Sequence, residues 1–220
     1  VGFFFPDAGE YLPILASGLA LTVAITIGSL ILATALGLVW ALMRMSGVRA
    51  LELIAKAAVN FIRGIPIIVQ LFYIYFVMPD LGVTLSALQA AIIGLGIAYS
   101  AYQSENFRAA IEAVDHGQVE AAQSIGMGWW TVMRRVILPQ ALRIALPPFG
   151  NVMIMMLKDS SQASTITVGE LAMQGKLIAS ATFKNTEVYS MVALLYLCMS
   201  LPLMYLVSVL ERRLGASARR

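Results

Sequence analysis

Side chains able to do chemistry are few in this sequence and stand far apart. Its one histidine, His116, and one cysteine, Cys198, cannot assemble a His/Cys metal cluster, an intrachain disulfide or a Ser-His-Asp arrangement. What remains is a set of polar groups set into apolar sequence: Lys158-Asp159-Ser160-Ser161-Gln162, the i,i+3 pair Glu105 and Arg108, and the amides Gln70, Gln103 and Asn151. Such groups bind by ion pairing and hydrogen bonding and offer no obvious covalent chemistry. Hydrocarbon supplies no partners for them, so they are expected to face protein or a hydrated cavity. A phosphate cradle is not found. Gly169 to Gly175-Lys176-Leu177 has five residues between its glycines instead of four and ends in Leu, where a P-loop needs Ser or Thr. Gly94 and Gly96 are followed by Tyr99 where a dinucleotide fingerprint needs a small residue, which makes them packing glycines.

The elements that position these groups follow from composition. The 220 residues are 60% hydrophobic and 12% charged, with a mean hydropathy of +0.82, against the 45–50% apolar share usual for soluble domains. The expected fold class is an all-α integral membrane protein. The pI of about 9.1 reflects a net charge of only +3, dispersed over several loops, so a nucleic-acid surface is excluded. The opening stretch, Val1 to Pro13, has no basic segment before an apolar core, so it does not read as a signal peptide, and Val1 in place of Met suggests trimming or truncation.

Hydropathy predicts five spans, at about 17–42, 54–78, 84–104, 144–167 and 188–210. Residues 3–15, containing Pro6 and Pro13, read as an interfacial lead-in. Val48 to Phe61 reads as an amphipathic interfacial helix feeding the second span, with a bend expected at Pro66. Ala33 and Gly37 give the first span a spacing that permits close helix contact. Gly169 to Glu187 reads as a polar connection. With the N-terminus outside, the inner segments 44–53, 105–143 and 211–220 hold ten Lys and Arg, and the outer segments hold two. The excess of basic residues inside therefore predicts N-out, C-in.

That topology puts Val119 to Pro139 in the cytoplasm. Glu120, Ala121 and Ala122 favour a short helix, Gly126 and Gly128 break it, and Trp129-Trp130 begin a second helical piece ending at Leu138-Pro139. By composition this is either an ordinary cytoplasmic hairpin with interfacial tryptophans or a knob on which another protein docks.

The spacing resembles the signature of ABC-importer membrane permeases: E-A-A, three residues, G, nine residues, I-x-L-P. Glu120-Ala121-Ala122, Gly126 and Leu138-Pro139 match in register, and Val136 replaces the Ile. Phe61-x-Arg63-Gly64-x-Pro66 with Gln70-Leu71, Ala101-Tyr102-x-x-Glu105-x-x-Arg108, and Lys158-Asp159-Ser160-Ser161 are similar to the polar amino acid branch of that family. Gln162 departs from it, standing where an apolar residue commonly follows. The resemblance covers nearly the whole chain.

It implies a single permease domain, 1–220, of the type I importer kind, in a bacterial cytoplasmic (inner) membrane. A second permease, as homodimer or heterodimer, encloses one pathway. Two cytoplasmic ATPase subunits bind the ATP and Mg, and a periplasmic or tethered binding protein delivers the amino acid. The chain itself is then a non-catalytic subunit holding no cofactor, with Glu120, Ala121, Ala122, Gly126, Leu138 and Pro139 at the ATPase contact. Arg63, Gln70, Gln103, Glu105, Asn151, Lys158, Asp159, Ser160, Ser161 and Gln162 are its candidate pathway residues, and each has a plainer reading as an ion pair or a tie between helices. Two other classes stay open: a secondary carrier or channel using Glu105, Lys158 and Asp159 as ion or substrate sites, and a membrane enzyme, for which no paired catalytic groups can be assembled.

Overall fold

The computed structural model describes residues 6–217, and every regular element within them is helical. Helix α1 (Ala8–Arg44) passes through Pro13 unbroken. The interfacial lead-in expected over 3–15 is therefore helix from Ala8 onward, while its residues 3–5 lie outside the described residues. Little more than one turn precedes Pro13, so its missing bond to Gly9 is absorbed at a free helix end.

The segment predicted as one span over 54–78 is two helices. Helix α2 (Arg49–Gly64) is amphipathic and buries Ala55 and Val59; α3 (Ile67–Phe72) begins after a bend of 99°. The cause is local. Pro66 drives Ile65 into extended backbone, at φ −108° and ψ 129°, and cannot donate to α2. The side-chain amide of Gln70 closes the elbow by donating to the carbonyls of Ile62 and Ile65, at 2.8 and 2.9 Å.

A π-turn, Tyr73–Val77, follows α3, and a second spans Met133–Ile137 between α6 (Trp129–Val132) and α7 (Leu138–Asp159). Each lies just before a proline, Pro79 and Pro139, whose ring crowds the carbonyl four residues earlier. Those carbonyls belong to Tyr75 and Arg135, the central residues of the two π-turns, so the wider turn relieves the clash. For this reason the helical piece expected to end at Leu138-Pro139 does not end there but runs on to Asp159 and a 3₁₀ turn, Ser160–Ile166.

Helix α4 (Ala87–Glu112) opens with a Ser86–Gln89 capping box and lies along α1 at the centre of the bundle. Ala33 of α1 is buried in the same cluster as Leu95 and Tyr99, and a Cβ on Gly37 would lie 2.7 Å from the Cβ of Gln103. The two backbones approach closely because α1 offers Ala and Gly here. Among the described residues, three helices are long and apolar enough to cross a membrane: α1, the run Trp129–Ile166, and α9 (Asn185–Ser217) over Asn185–Leu214. The bent α2–α3 pair makes a fourth if counted as one span. The sequence-predicted third span, now α4, is not among them. It is wrapped by α1, α3 and α7, so its Ser100, Gln103 and Ser104 meet protein rather than lipid.

The expected polar connection over 169–187 contains a further helix, α8 (Leu171–Thr182). Glu170 caps it, accepting from the backbone of Ala172 and Met173 at 2.9 and 2.8 Å. The same buried carboxylate accepts from Tyr196 of α9 at 2.9 Å and Thr22 of α1 at 3.4 Å, pinning three helices at one point. Burial pushes this carboxyl above its usual range despite those donors.

Candidate functional site

Two regions carry the candidate residues, and α4 and α7 connect them. The first is the short helix α5 (His116–Ser124), which leaves the end of α4 through a tight turn. Asp115 caps its start by accepting from Gln118 N–H at 3.3 Å. Its end is a Schellman closure: Met127 N–H bonds to Ala122 O at 3.1 Å and Gly126 N–H to Gln123 O at 2.9 Å, with Gly126 at φ +85°. Glycine is required by that backbone conformation and not by crowding, since no heavy atom lies within 4 Å of its would-be Cβ.

Of the triplet, Ala122 turns inward while Glu120 and Ala121 are exposed. Beside them stand three large apolar side chains in the open: Ile125, 80% exposed, Trp129 and Trp130. The knob is mounted firmly on its other side. Gln140 of α7 donates to Gln118 at 2.6 Å and to Val136 O at 2.9 Å. Ala110 and Val114 pack with Ala141 and Ala145 of α7, flanked by Phe107, Ile111 and Ile137. Leu138 and Pro139 are exposed in the first turn of α7, behind the knob.

The second region is a polar track. Asp159, at the end of α7, accepts a hydrogen bond from Tyr99 of α4 at 2.6 Å. The Tyr99 ring lies 5.7 Å from that of Tyr102, and the Arg63 guanidinium sits 5.5 Å from the centre of the Tyr102 ring. Glu105, one turn further along, binds Arg44 of α1 at 2.5 Å and Arg108 at 3.0 Å, with Arg63 at 3.8 Å. Burial alone would raise the Glu105 pKa, but the bonds from Arg44 and Arg108 outweigh it and hold the carboxyl below its usual range. One carboxylate thus gathers the ends of α1, α2 and α4.

The remaining candidates scatter. Lys158 and Asn151 are exposed, and Gln162 and Ser161 are half-buried. Ser160, Ser161, Ser164 and Thr165 each turn the hydroxyl back to the carbonyl three residues earlier, covering acceptors along the 3₁₀ turn. Gln70 is committed to the α2–α3 elbow. Gln103 is fully buried in the α1–α4 seam, its Oε1 accepting from Asn106 and its amide nitrogen unpartnered. Tyr99 and Arg44 were not singled out from sequence as partners of Asp159 and Glu105, because separations of 60 and 61 residues leave no local pattern to read. Glu170 directly precedes an apolar stretch, but glutamate is not among the side chains that usually cap a helix start, so the sequence gives its role no clear local signal.

Residues 33–216 match the family described as the binding-protein-dependent transport system inner membrane component. A probable amino-acid ABC transporter permease protein of Bacillus subtilis, YckA, is 42% identical over 187 residues, covering 85% of this chain and 83% of that protein. The L-cystine transport system permease protein TcyB of the same organism is 40% identical over 206 residues, covering 93% and 88%. Its probable glutamine ABC transporter permease protein GlnM is 38% identical over 209 residues, covering 95% and 93%. Among solved structures, an amino acid ABC transporter crystallised with histidines superposes with a TM-score of 0.90 at 40% identity, covering 95% of this chain and 98% of that one. The inward-facing MetNI methionine transporter, at 22% identity and a TM-score of 0.75, shares the fold. The chain therefore belongs to the binding-protein-dependent transport system inner membrane component family and, within it, to the amino acid ABC transporter permeases.

Proposed function

We propose that this chain is the membrane subunit of an ATP-driven importer for polar amino acids in a bacterial cytoplasmic membrane. It crosses five times, by α1, the bent α2–α3 pair, α4, α7 and α9, with the N-terminus outside. A second permease completes the pathway, two ATPase subunits sit on the cytoplasmic side with ATP and Mg, and an amino-acid-binding protein delivers substrate from outside. The observation that carries the reading is the α5 knob. Glu120, Ala121 and Ile125 face outward, while Ala122 is buried beneath the helix and the Gln118–Gln140 bond ties it to α7.

The mechanism is mechanical. A partner that grips α5 moves α4 and α7 together, because the Ala110–Val114–Ala141–Ala145 contact joins them near the knob and the Tyr99–Asp159 bond joins them again further along. Lys158, Asp159, Ser161 and Gln162 contact the amino acid on its way through. Ion-gradient driving is the weaker reading, because Glu105 is engaged by arginines and Asp159 by Tyr99.

Deleting residues 120–126 tests the function. ATPase copurification and ATP-dependent amino acid uptake in proteoliposomes are expected to vanish while the permease still inserts. Unchanged copurification, or uptake that follows an ion gradient without ATP, overturns the reading.

A further inference from the structure

In the proposed topology two clusters of arginines lie on the cytoplasmic side, and they differ in what neutralises them. Arg44 and Arg108 bind Glu105, and Arg63 lies near the same carboxylate at 3.8 Å. Arg134, Arg135 and Arg143 have no such partner. All three are exposed, and none forms a salt bridge among the described residues. The sequence holds no acidic residue between Glu120 and Asp159 that could supply one locally. Their neighbours follow a set order along one helical run. Trp129 and Trp130 come first, both exposed, with ring centres 6.1 Å apart. Arg134 and Arg135 stand one turn further on, in the π-turn. Leu142 and Leu146 of α7 are exposed beyond them, one turn apart, while Ala141 and Ala145 pack inward with Ala110 and Val114. The whole run, Trp129–Ile166, has 38 residues. At about 1.5 Å per residue it is far longer than a hydrocarbon core of about 30 Å. Arg143 is the last charged residue before Lys158. The hydrocarbon therefore begins near Arg143, and the turns from Trp129 onward lie at the depth of the lipid headgroups.

We propose that this surface binds an anionic phospholipid of the inner leaflet. Arg134, Arg135 and Arg143 take the phosphate, for which a guanidinium is suited by its paired N–H donors. Trp129 and Trp130 border the headgroup, and Leu142 and Leu146 lie along an acyl chain. The preference for a net negative lipid follows from the missing carboxylates. A zwitterionic headgroup would bring its own cationic group beside three arginines with no acid there to receive it, whereas an anionic headgroup meets positive charge alone. An acidic protein surface fits less well, since it would cover the tryptophans and arginines and leave the leucines that follow them into the membrane uncovered. The inference rests on the proposed topology, which sets the side of the membrane, and goes beyond the importer reading by giving the mount of α5 a lipid contact.

The test reads the lipid contact apart from transport. In the full chain carrying Trp40→Phe, Trp129 and Trp130 are the only tryptophans, so their fluorescence reports on this surface. The chain is placed in phosphatidylcholine vesicles, and brominated phosphatidylglycerol or brominated phosphatidylcholine replaces increasing fractions of the lipid. Half-maximal quenching is expected at about a tenfold lower fraction of the anionic lipid. Replacing Arg134, Arg135 and Arg143 together by Gln should abolish that difference, and replacing all three by Lys should keep most of it. Equal quenching by the two lipids in the wild-type background overturns the anionic preference. Quenching by neither puts the tryptophans outside the membrane and sinks the site, as does a preference that the Gln variant retains. The competing partner is tested by ATPase copurification in phosphatidylcholine alone. If the Gln variant melts as wild type yet loses the ATPase there, the arginines belong to the ATPase contact and the lipid site is rejected; unchanged copurification supports the lipid. Failure of the wild-type chain itself to bring down an ATPase would count against the importer reading and leave the quenching result standing.

Discussion

The exposed helix α5 and the polar track from Asp159 to Arg63 both adjoin α4 and α7, yet they are held by opposite kinds of contact. Helix α5 is closed by its own neighbours: Asp115 at one end, Gly126 and Met127 at the other, all within a dozen residues. Its outer face is left open. The track is closed by partners from remote parts of the chain, Tyr99 with Asp159 and Arg44 with Glu105, and depends on α1 and α4 lying almost backbone to backbone. The ends of this short helix are thus closed by local bonds, with the Gln118–Gln140 bond tying it to α7. The polar track exists only once the helices have packed.

The comparison predicts that substitutions in the α1–α4 seam damage the whole molecule, whereas those in α5 damage coupling alone. The largest effect belongs to Gly37→Leu. Its Cβ would stand 2.7 Å from the Cβ of Gln103, 3.0 Å from the carbonyl oxygen of Ser100 and 3.1 Å from the backbone nitrogen of Ser104, and two of those three atoms are backbone that cannot rotate away. Overpacking of this kind costs about 3 kcal/mol. The variant is expected to lose monodispersity in detergent and to fall in thermal midpoint. A wild-type melting curve would show that the seam yields more easily than its geometry implies.

Tyr99→Phe comes next. It removes the donor to Asp159 with little change in packing, leaving a half-buried carboxylate without its protein partner. The loss expected in a denaturation experiment is about 1–3 kcal/mol. An unchanged denaturation curve would show that the Asp159 carboxylate does not depend on the Tyr99 hydroxyl.

Glu105 gives a smaller effect with a pH signature. Its folded pKa lies below the unfolded value, so its contribution is complete above the ordinary carboxylate value of about 4.3 and disappears as pH falls through the folded one. The difference in thermal midpoint between wild type and Glu105→Gln is expected to be widest near neutrality and to shrink below about pH 4. A difference that stays constant down to about pH 3 would show that shape at this position matters more than charge.

What the sequence discloses follows the same division. Glu120-Ala121-Ala122 and Gly126 are legible because spacing alone places them on one short helix and its closing turn, as found in α5. The bend at Pro66 is legible for the same reason, although its size, 99°, is not, since it depends on Gln70 reaching back to Ile62 and Ile65. Helix α4 shows the opposite limit. Hydropathy reads exposure to lipid, and a helix surrounded by other helices has no need of a lipid-compatible surface, so Ser100, Gln103 and Ser104 sit in its buried face. Prolines mislead for a related reason: Pro139 reads as a stop until the π-turn around Arg135 gives its ring room. Gln70 and Gln103, drawn from sequence as candidate pathway groups, are placed by the structure in the elbow and in the α1–α4 seam. An amide in apolar sequence announces that it needs partners without saying which.

Gly126 supplies the finest test, because two reasons for a glycine can be separated there. Its φ of +85° places it in the left-handed region, and the space around its would-be Cβ is open. If conformation is what matters, Gly126→Ala costs about 1 kcal/mol, confined to α5. It should speed amide exchange over residues 121–127 and weaken ATPase copurification a few-fold, with the global melting curve unchanged. Gly126→Asn should recover most of that loss, since Asn adopts the left-handed conformation readily. Recovery by Asn assigns Gly126 to the shape of the knob. If Ala and Asn both abolish coupling while exchange stays at wild-type rates, the partner's backbone must approach the glycine itself, and the docking surface extends past Ile125 into the turn.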